Sequence, residues 1–299
     1  MKVLNLSSND YANFSHLNAD ALRSVGVSCL DWTTNLHPFG YDKQSEKVSY
    51  SHIEKNYKNF DVIQVFHSCP TIYKIVKDHP NVIIYHTGSR YRESKETYDE
   101  LFKGRTIVTD QCEFLLHNHE FIYLAPHTTL KPVEKRKDGK LILGHFPSNP
   151  RVKGTDDIRR LLAPFEDDFE IRIDEAILPH EENLKRIAEC HIYVELFKPE
   201  LNGKPYGCFG VTAFEATALG CLVVTNNINP DAYEWAYGYQ PFLTPNTEQK
   251  FINTIISLGQ DREMYDIAVE TFHRGFYQKH GITEAGLRIK KIIDESKRK

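Results

Sequence analysis

The stretch Tyr206-Gly-Cys-Phe-Gly-Val-Thr-Ala-Phe-Glu-Ala-Thr-Ala-Leu-Gly-Cys-Leu-Val-Val-Thr225 decides how this chain is read. Gly207 and Gly210 make a turn whose backbone can approach a ligand closely, because glycine carries no Cβ. Val211–Leu219 is small, apolar and helix-compatible, and Leu222–Thr225 is a short apolar run suited to a buried parallel strand. A glycine turn, a helix and a buried strand in succession form one unit of an alternating α/β fold. A helix that starts at such a turn also offers unpaired N–H groups to an anion. Glu215 lies within the helix among Phe214, Ala216 and Ala218. A carboxylate in that company is costly unless something hydrogen-bonds to it. A vicinal diol such as ribose would do so, and a structural ion pair would serve equally well.

The alternation extends in both directions. In this half Leu141–His145, Phe169–Ile173 and Ile192–Val194 read as strands, with Pro241–Leu243 as a weaker candidate. Helices fill Asp156–Leu162, Glu181–Glu189, Glu248–Leu258, Arg262–Gln278 and Thr283–Ser296. In the first half the strands are Val3–Leu6, Val27–Asp31, Asp61–Phe66, Val82–Tyr85, Thr106–Thr109 and Phe121–Leu124. Helices between them are Ser15–Val25, His52–Asn59, Thr71–Asp78, Glu96–Phe102 and Gln111–His117, with Ser15 and Ser51 as caps. Between Lys131 and Lys140 the apolar period stops and charges dominate, which marks a linker. The chain therefore reads as two doubly wound α/β domains, 1–135 and 136–299, facing each other across a cleft, with ligands at the carboxyl ends of the strands. A single sheet would need about eleven strands, more than is usual. The last helix is expected to cross back onto the first domain.

A net charge of -4 argues against a broadly basic nucleic-acid binder, although a local basic groove is compatible with it. The six cysteines form no Cys-x-x-Cys pair, so the usual zinc and redox spacings are missing and free thiols in a reducing cytosol are expected. The start of the chain has no secretory apolar core, and no run is long enough to span a bilayer. The expected location is cytoplasmic, with peripheral attachment to a membrane compatible with the sequence.

Strand Leu141–His145 runs into Phe146-Pro-Ser-Asn-Pro-Arg-Val-Lys-Gly-Thr-Asp156. A polar turn with Arg151 and Lys153, then Gly154 and a helix N-terminus, makes an anion site: arginine forks onto phosphate oxygens and lysine adds a point charge. A solvated basic loop capped by Thr155 or Asp156 would look the same in sequence. Arg151-Val-Lys153-Gly154 and Phe209-Gly210-x-x-x-x-Glu215-Ala216-x-Ala218-x-Gly220, with His180-Glu-Glu-Asn-Leu and Cys190-His-Ile-Tyr-Val between them, together resemble the donor domain of family 4 retaining glycosyltransferases of the GT-B fold. The resemblance implies that Arg151 and Lys153 hold the donor diphosphate and that Glu215 grips the nucleotide ribose. Gly154 and the segment Cys208, Phe209, Gly210, Val211, Thr212 would line the donor. Two departures stand out. The family commonly has a second glutamate eight positions before Glu215, where this chain has Gly207, and Arg151 and Lys153 are one residue closer than usual.

In the first half Val82-Ile-Ile-Tyr-His-Thr-Gly-Ser-Arg90 is a buried strand ending in a polar turn. His86 resembles the family's His-Thr after a strand of the first domain, which implies a catalytic place near the transferred sugar. His67, at the end of the preceding strand, is the next candidate. Gly88, Ser89 and Arg90 follow His86 as acceptor-side residues, and Asn9 and Asp10 occupy the first loop. Arg90 and Arg92 would suit an anionic acceptor.

Asp-x-Asp, His-x-x-x-His, Gly-x-Ser-x-Gly, the P-loop and Gly-x-Gly-x-x-Gly are all missing from the sequence. The expected activity is a metal-independent retaining glycosyltransferase that uses a UDP- or GDP-sugar as co-substrate and no cofactor. The expected acceptor is a glycan or lipid-linked glycan, with modified DNA bases as a second class. A non-catalytic nucleotide-sugar-binding protein and a nucleotide-sugar epimerase are the competing readings.

Overall fold

The structure is a computed structural model that describes residues 1–260 and 262–297. It contains two compact units: Met1–His127 with the C-terminal stretch from Lys279, and Thr128–Gln278. The division falls ahead of the charged stretch 131–140. The reason is local: Val133 donates its N–H to the Leu219 carbonyl and Lys135 Nζ reaches the Ala188 carbonyl at 2.6 Å, so this stretch is fastened within the second unit.

The first unit holds a seven-stranded, wholly parallel sheet. Its strands are β1 (Lys2–Ser7), β2 (Ser28–Thr33), β3 (Glu46–Lys47), β4 (Val62–Val65), β5 (Val82–His86), β6 (Thr106–Thr109) and β7 (Ile122–Tyr123), in the order β3-β2-β1-β4-β5-β6-β7. The order reverses between β1 and β4, and the loops that leave the carboxyl ends of those two strands part there, the usual place for a ligand in such sheets. Side chains alternate across the sheet as the pleat requires. Val3, Val62, Ile83 and Tyr85 face a layer made by the helices Phe14–Ser24 and Ile282–Ser296. Leu4, Leu6, Ile63, Val65, Val82 and Ile84 face Ile53, Ile72, Val76 and Phe102 on the other side.

Two caps differ from expectation. Ser15 and Ser51 both lie inside helices; the carboxylate of Asp10 accepts from the Ser15 and His16 amides at 2.8 and 3.0 Å, and Ser49 caps Tyr50–Asn56 through the His52 amide. A helix over Gly88–Glu93 was not legible, being short, charged and without an apolar period.

The second unit has a four-stranded parallel sheet of β8 (Leu141–His145), β9 (Phe169–Ile173), β10 (Ile192–Leu196) and β13 (Leu222–Thr225), ordered β13-β10-β8-β9. A hairpin of β11 (Glu200–Leu201) and β12 (Lys204–Pro205) stands apart from it. Pro241–Leu243 contributes only a single bridge, Leu243 to Val224. The core of this unit joins Leu143, Ile192, Val194, Leu222 and Val224 to Ile158, Leu162, Phe251, Ile255 and Tyr265 from the covering helices. The expected helix Arg262–Gln278 is two, Arg262–His273 and Phe276–His280, because Gly275 between them takes a left-handed φ of +84°. The helix Pro230–Tyr237 was not anticipated; it opens on a proline at its first position, as helices favour.

In the first unit Gly286 lets the helix Ile282–Ser296 lie directly on the backbone of Phe14–Ser24, since a Cβ there would run into the Ala21 carbonyl. Gly286→Ala should therefore cost about 1–3 kcal/mol through overpacking. Thermal melting would read this as a clear drop in Tm, and an unchanged Tm would contradict the contact.

Candidate functional site

In the second unit the site is built where β8, β10 and β13 end. His145 closes β8 with its ring buried: Nδ1 lies 2.7 Å from the Val194 carbonyl and Nε2 lies 2.9 Å from Thr155 Oγ1. Burial pushes its pKa down to about 4, so the ring is a neutral strut between strand and helix. In place of the expected polar turn stands a single helical turn, Pro150–Lys153, with proline in the first turn and Asn149 accepting from the Val152 amide. Gly154 ends it at φ +75° and starts the helix Thr155–Leu162; any Cβ at this position would collide with the Phe197 carbonyl.

This geometry separates the two cations. Arg151 is exposed and reaches Asn202 Oδ1 at 3.2 Å beside the hairpin. Lys153 turns inward and pairs with the buried carboxylate of Glu195, whose other oxygen accepts from Thr225 Oγ1 at 3.0 Å. Gly210 completes the group, because a Cβ there would stand 3.0 Å from Lys153 Nζ and closer still to Glu195 Oε1. Lys153, Glu195, Thr225 and the start of the helix Val211–Ala218 thus meet in one place. Further along that helix, Glu215 accepts from His180 Nε2 at 2.7 Å, both side chains being partly shielded.

The other donor-side residues divide. The Phe209 ring is fully buried against Tyr233 and Phe242, and Cys208 is buried, so these two offer backbone rather than side chain. Val211 and Thr212 are half-buried in the first helical turn. Gly207 takes φ +153°, and a Cβ there would run into Asn226 Nδ2 and lie 2.9 Å from the Asn226 carbonyl oxygen. Asn226 is fixed in turn by the Lys198 amide and the Tyr206 carbonyl, each at 2.7 Å. A glutamate at 207 is therefore sterically excluded. Glu195, Thr225 and Asn226 were not singled out from the sequence. The signal for Glu195 is a lone carboxylate inside the apolar run Ile192-Tyr-Val-Glu-Leu-Phe197.

In the first unit the polar residues gather at the carboxyl ends of β1, β4 and β5. Asp10, His67 and Thr87 are all buried, and Tyr11 sets its ring edge-on to His67. A depression of about 460 Å³ is lined in part by Tyr11, His67, Thr87, Gly88, Ser89 and Arg90. Asn9 serves the turn, its carbonyl accepting from the Tyr11 amide. Arg90 donates to the His67 carbonyl at 3.0 Å, whereas Arg92 is engaged by the buried carboxylate of Glu113.

His86 departs from the role expected of its imidazole. It shares the face of Val82 and Ile84, so its ring points into the core, stacked at 4.0 Å on Tyr91 and close to Phe102 and Phe121. Nδ1 pairs with Ser68 Oγ at 2.9 Å, and burial pushes the pKa down to about 3. The imidazole that borders the depression is that of His67. Beyond β6, Asp110 is buried with Oδ1 lacking a hydrogen-bond partner among the described residues, and burial raises its pKa to about 6.

Among solved structures, a glycosyltransferase from Rickettsia africae matches 99% of this chain and 98% of its own at 13% identity, with a TM-score of 0.62. A sucrose-phosphate synthase from Thermosynechococcus elongatus matches 99% of both chains at 11% identity and the same TM-score of 0.62. The fold is that of the GT-B glycosyltransferases. A putative UDP-N-acetylglucosamine 2-epimerase from Listeria monocytogenes also matches, over 98% of this chain and 96% of its own at 12% identity and a TM-score of 0.59, so the fold alone does not name the reaction. No family model matches the sequence. No curated protein matches it either.

Two outcomes follow from this geometry. Gly207→Ala should lower stability by about 1–3 kcal/mol, read as a lower urea midpoint, because the tethered Asn226 side-chain amide and the Asn226 backbone carbonyl both oppose the new Cβ; an unchanged midpoint would show that Asn226 yields. Asp110 binds its proton more tightly folded than unfolded, so its contribution is whole below the unfolded value of 3.8 and is lost as pH rises through about 6. Asp110→Asn should accordingly gain on the wild type between pH 4 and pH 7, by roughly 2–3 kcal/mol. Parallel urea curves at the two pH values would expose an equal difference, which would contradict the buried acid.

Proposed function

We propose that this protein is a glycosyltransferase that moves a sugar from a nucleotide-diphosphate sugar to a hydroxyl acceptor, with the donor held by the second unit. The observation that carries this reading is the convergence of Lys153, the Gly210 backbone and the start of the helix Val211–Ala218, with Glu215 further along the same helix. When the bond to the anomeric carbon breaks, negative charge grows on the leaving diphosphate. An ammonium and oriented backbone amides offset that charge most where water is scarce. Lys153 has three donors and spends one on Glu195, which leaves others for phosphate oxygens. Arg151, on its own side of the same turn, is a second cation for the diphosphate. Charge neutralisation by these groups is the basis for proposing a metal-independent reaction without a cofactor.

Glu215 suits the ribose of the nucleoside, since a carboxylate accepts from both hydroxyls of a vicinal diol, and His180 holds it in orientation. The closed position at 207 means that any carboxylate contact to the transferred sugar must come from elsewhere in the chain. Retention of anomeric configuration is the expectation the family 4 resemblance carries, and the anomeric coupling constant of the product tests it. The acceptor we favour is a glycan or lipid-linked glycan. Transfer to DNA bases loses part of its basis, because Arg92 is committed to Glu113. None of the helices among the described residues is long and apolar enough to cross a membrane. The six buried cysteines fit the cytoplasmic location we propose.

Calorimetric titration with UDP-glucose, UDP-N-acetylglucosamine and GDP-mannose provides the test. At least one should bind, and Lys153→Ala and Glu215→Gln should each weaken it roughly 10–100-fold, the worth of a hydrogen bond to a charged group. Absence of binding by the whole panel, or variants that bind as the wild type does, would sink the assignment.

A further inference from the structure

Thr87 follows β5 at the N-terminal boundary of the helix Gly88–Glu93, a position where threonine ordinarily accepts from an amide of the first turn. It makes no such cap. Its Oγ1 lies instead 2.6 Å from His67 Nδ1, and His67 Nε2 lies 3.3 Å from Asp10 Oδ1. Protons can be assigned along this chain. With Asp10 Oδ1 as the acceptor, Nε2 carries the hydrogen; Nδ1 is then the acceptor of the pair, and the Thr87 hydroxyl donates to it. That leaves the lone pairs of Thr87 Oγ1 for the depression, which Thr87 and His67 both line.

The backbone is bent to achieve this. His67 and Ser68 take φ of +59° and +49°, two successive left-handed residues with side chains, a conformation that carries a cost and that surrounding structure must impose. Arg90 holds the His67 carbonyl, the Ser68 amide is tied to the Tyr85 carbonyl at 3.0 Å, and the two amides at Ser15 and His16 hold Asp10. The charged and titratable groups facing His67 are Asp10, Asp110 and His37, with Arg90 on its carbonyl and the Tyr11 ring at its edge.

We propose that Thr87, His67 and Asp10 form a proton relay that deprotonates a hydroxyl bound in the adjoining depression. This rests on the glycosyl-transfer reading above. Whichever face of the sugar is attacked, the acceptor oxygen must lose its proton as it bonds to the anomeric carbon. In the relay that proton passes to Thr87 Oγ1 while the Thr87 proton passes to His67 Nδ1. The bond from the anomeric carbon to the diphosphate oxygen breaks, and the diphosphate leaves with the electron pair. The imidazolium so formed lies beside the Asp10 carboxylate until it releases its proton to solvent. Thr87 touches the substrate, and His67 and Asp10 act through it.

The test uses the whole chain and the nucleotide sugar of the panel that binds best, with water and then methanol as acceptor, and reads released nucleoside diphosphate. Thr87→Val keeps the shape and removes the hydroxyl; turnover should fall by about 10²–10⁴-fold, the usual worth of general base catalysis. Thr87→Ser should restore most of it, which a packing role for the threonine methyl would not predict. His67→Gln should flatten the wild-type pH profile of turnover while still binding the nucleotide sugar. Thr87→Val turning over at the wild-type rate, with the wild-type pH profile, would overturn the relay alone. A wild type that binds nucleotide sugars but releases no diphosphate from any of them would overturn the transferase reading and the relay with it.

Discussion

Lys153 and Glu195 face each other at the ends of neighbouring segments of the second unit, and much of that unit's local sequence is arranged around the pair. The ammonium can reach the carboxylate only because Gly154 ends the short helix in a left-handed turn and because Gly210 leaves the intervening space empty. The carboxylate stays in place because β10 carries it to the strand end and Thr225 donates to its second oxygen. A buried carboxylate without such partners would be strongly destabilising. The same constraint fixes the lysine: a flexible four-carbon stem is held in one direction before any ligand arrives, which lowers the entropy that binding must overcome. His145 stiffens the support beneath, tying β8 to both β10 and the helix that follows Gly154.

The two units use strand ends differently. In the second, cationic and backbone donors collect around a helix start. In the first, the groups that meet are acceptors and proton carriers: a carboxylate, an imidazole and a hydroxyl in a row, beside a depression with a tyrosine at its edge. Underneath them the sheet interior carries its own polar line, in which Tyr85 donates to Gln64, Gln64 to Asn5, and Asn5 to the Ser15 carbonyl. Satisfied buried polar groups of this kind rigidify the elements they join. Here they join β1, β4, β5 and the helix that Asp10 caps, the elements from which the relay hangs.

The sequence made the alternation of strands and helices, and hence two doubly wound sheets, readable from apolar period alone. Lys153, Gly210 and Glu215 were legible because each breaks a local expectation: a cation before a glycine, a glycine before a helix, a carboxylate among small apolar residues. Glu195 broke the same kind of rule and passed unremarked, since a charge at a strand end is ordinary until its partner is known. His86 and His67 show the limit more sharply. Both follow a buried strand, and which of them faces the depression depends on the parity of β5 and on the left-handed bend at His67–Ser68. Neither can be read from one sequence, because parity has no sign until the covering helices are assigned. The caps failed for a related reason: Asp10 reaches the helix start from several residues away, while Ser15 merely stands where a cap would.

The path of the chain through the first unit has a bearing on how the protein is made. This unit is left at His127 and resumed at Lys279, and the resumed stretch supplies Ala285, Ile289, Ile292 and Ile293 to a layer that also contains Val3, Leu22 and Ile83. On the ribosome the earlier part would emerge with that flank uncovered, whereas the second unit, continuous in sequence, has every strand it needs once its own segment is out. Synthesis order and completion order are therefore inverted: the unit begun first is the one finished last, and an apolar flank waits for its cover through the whole of that interval.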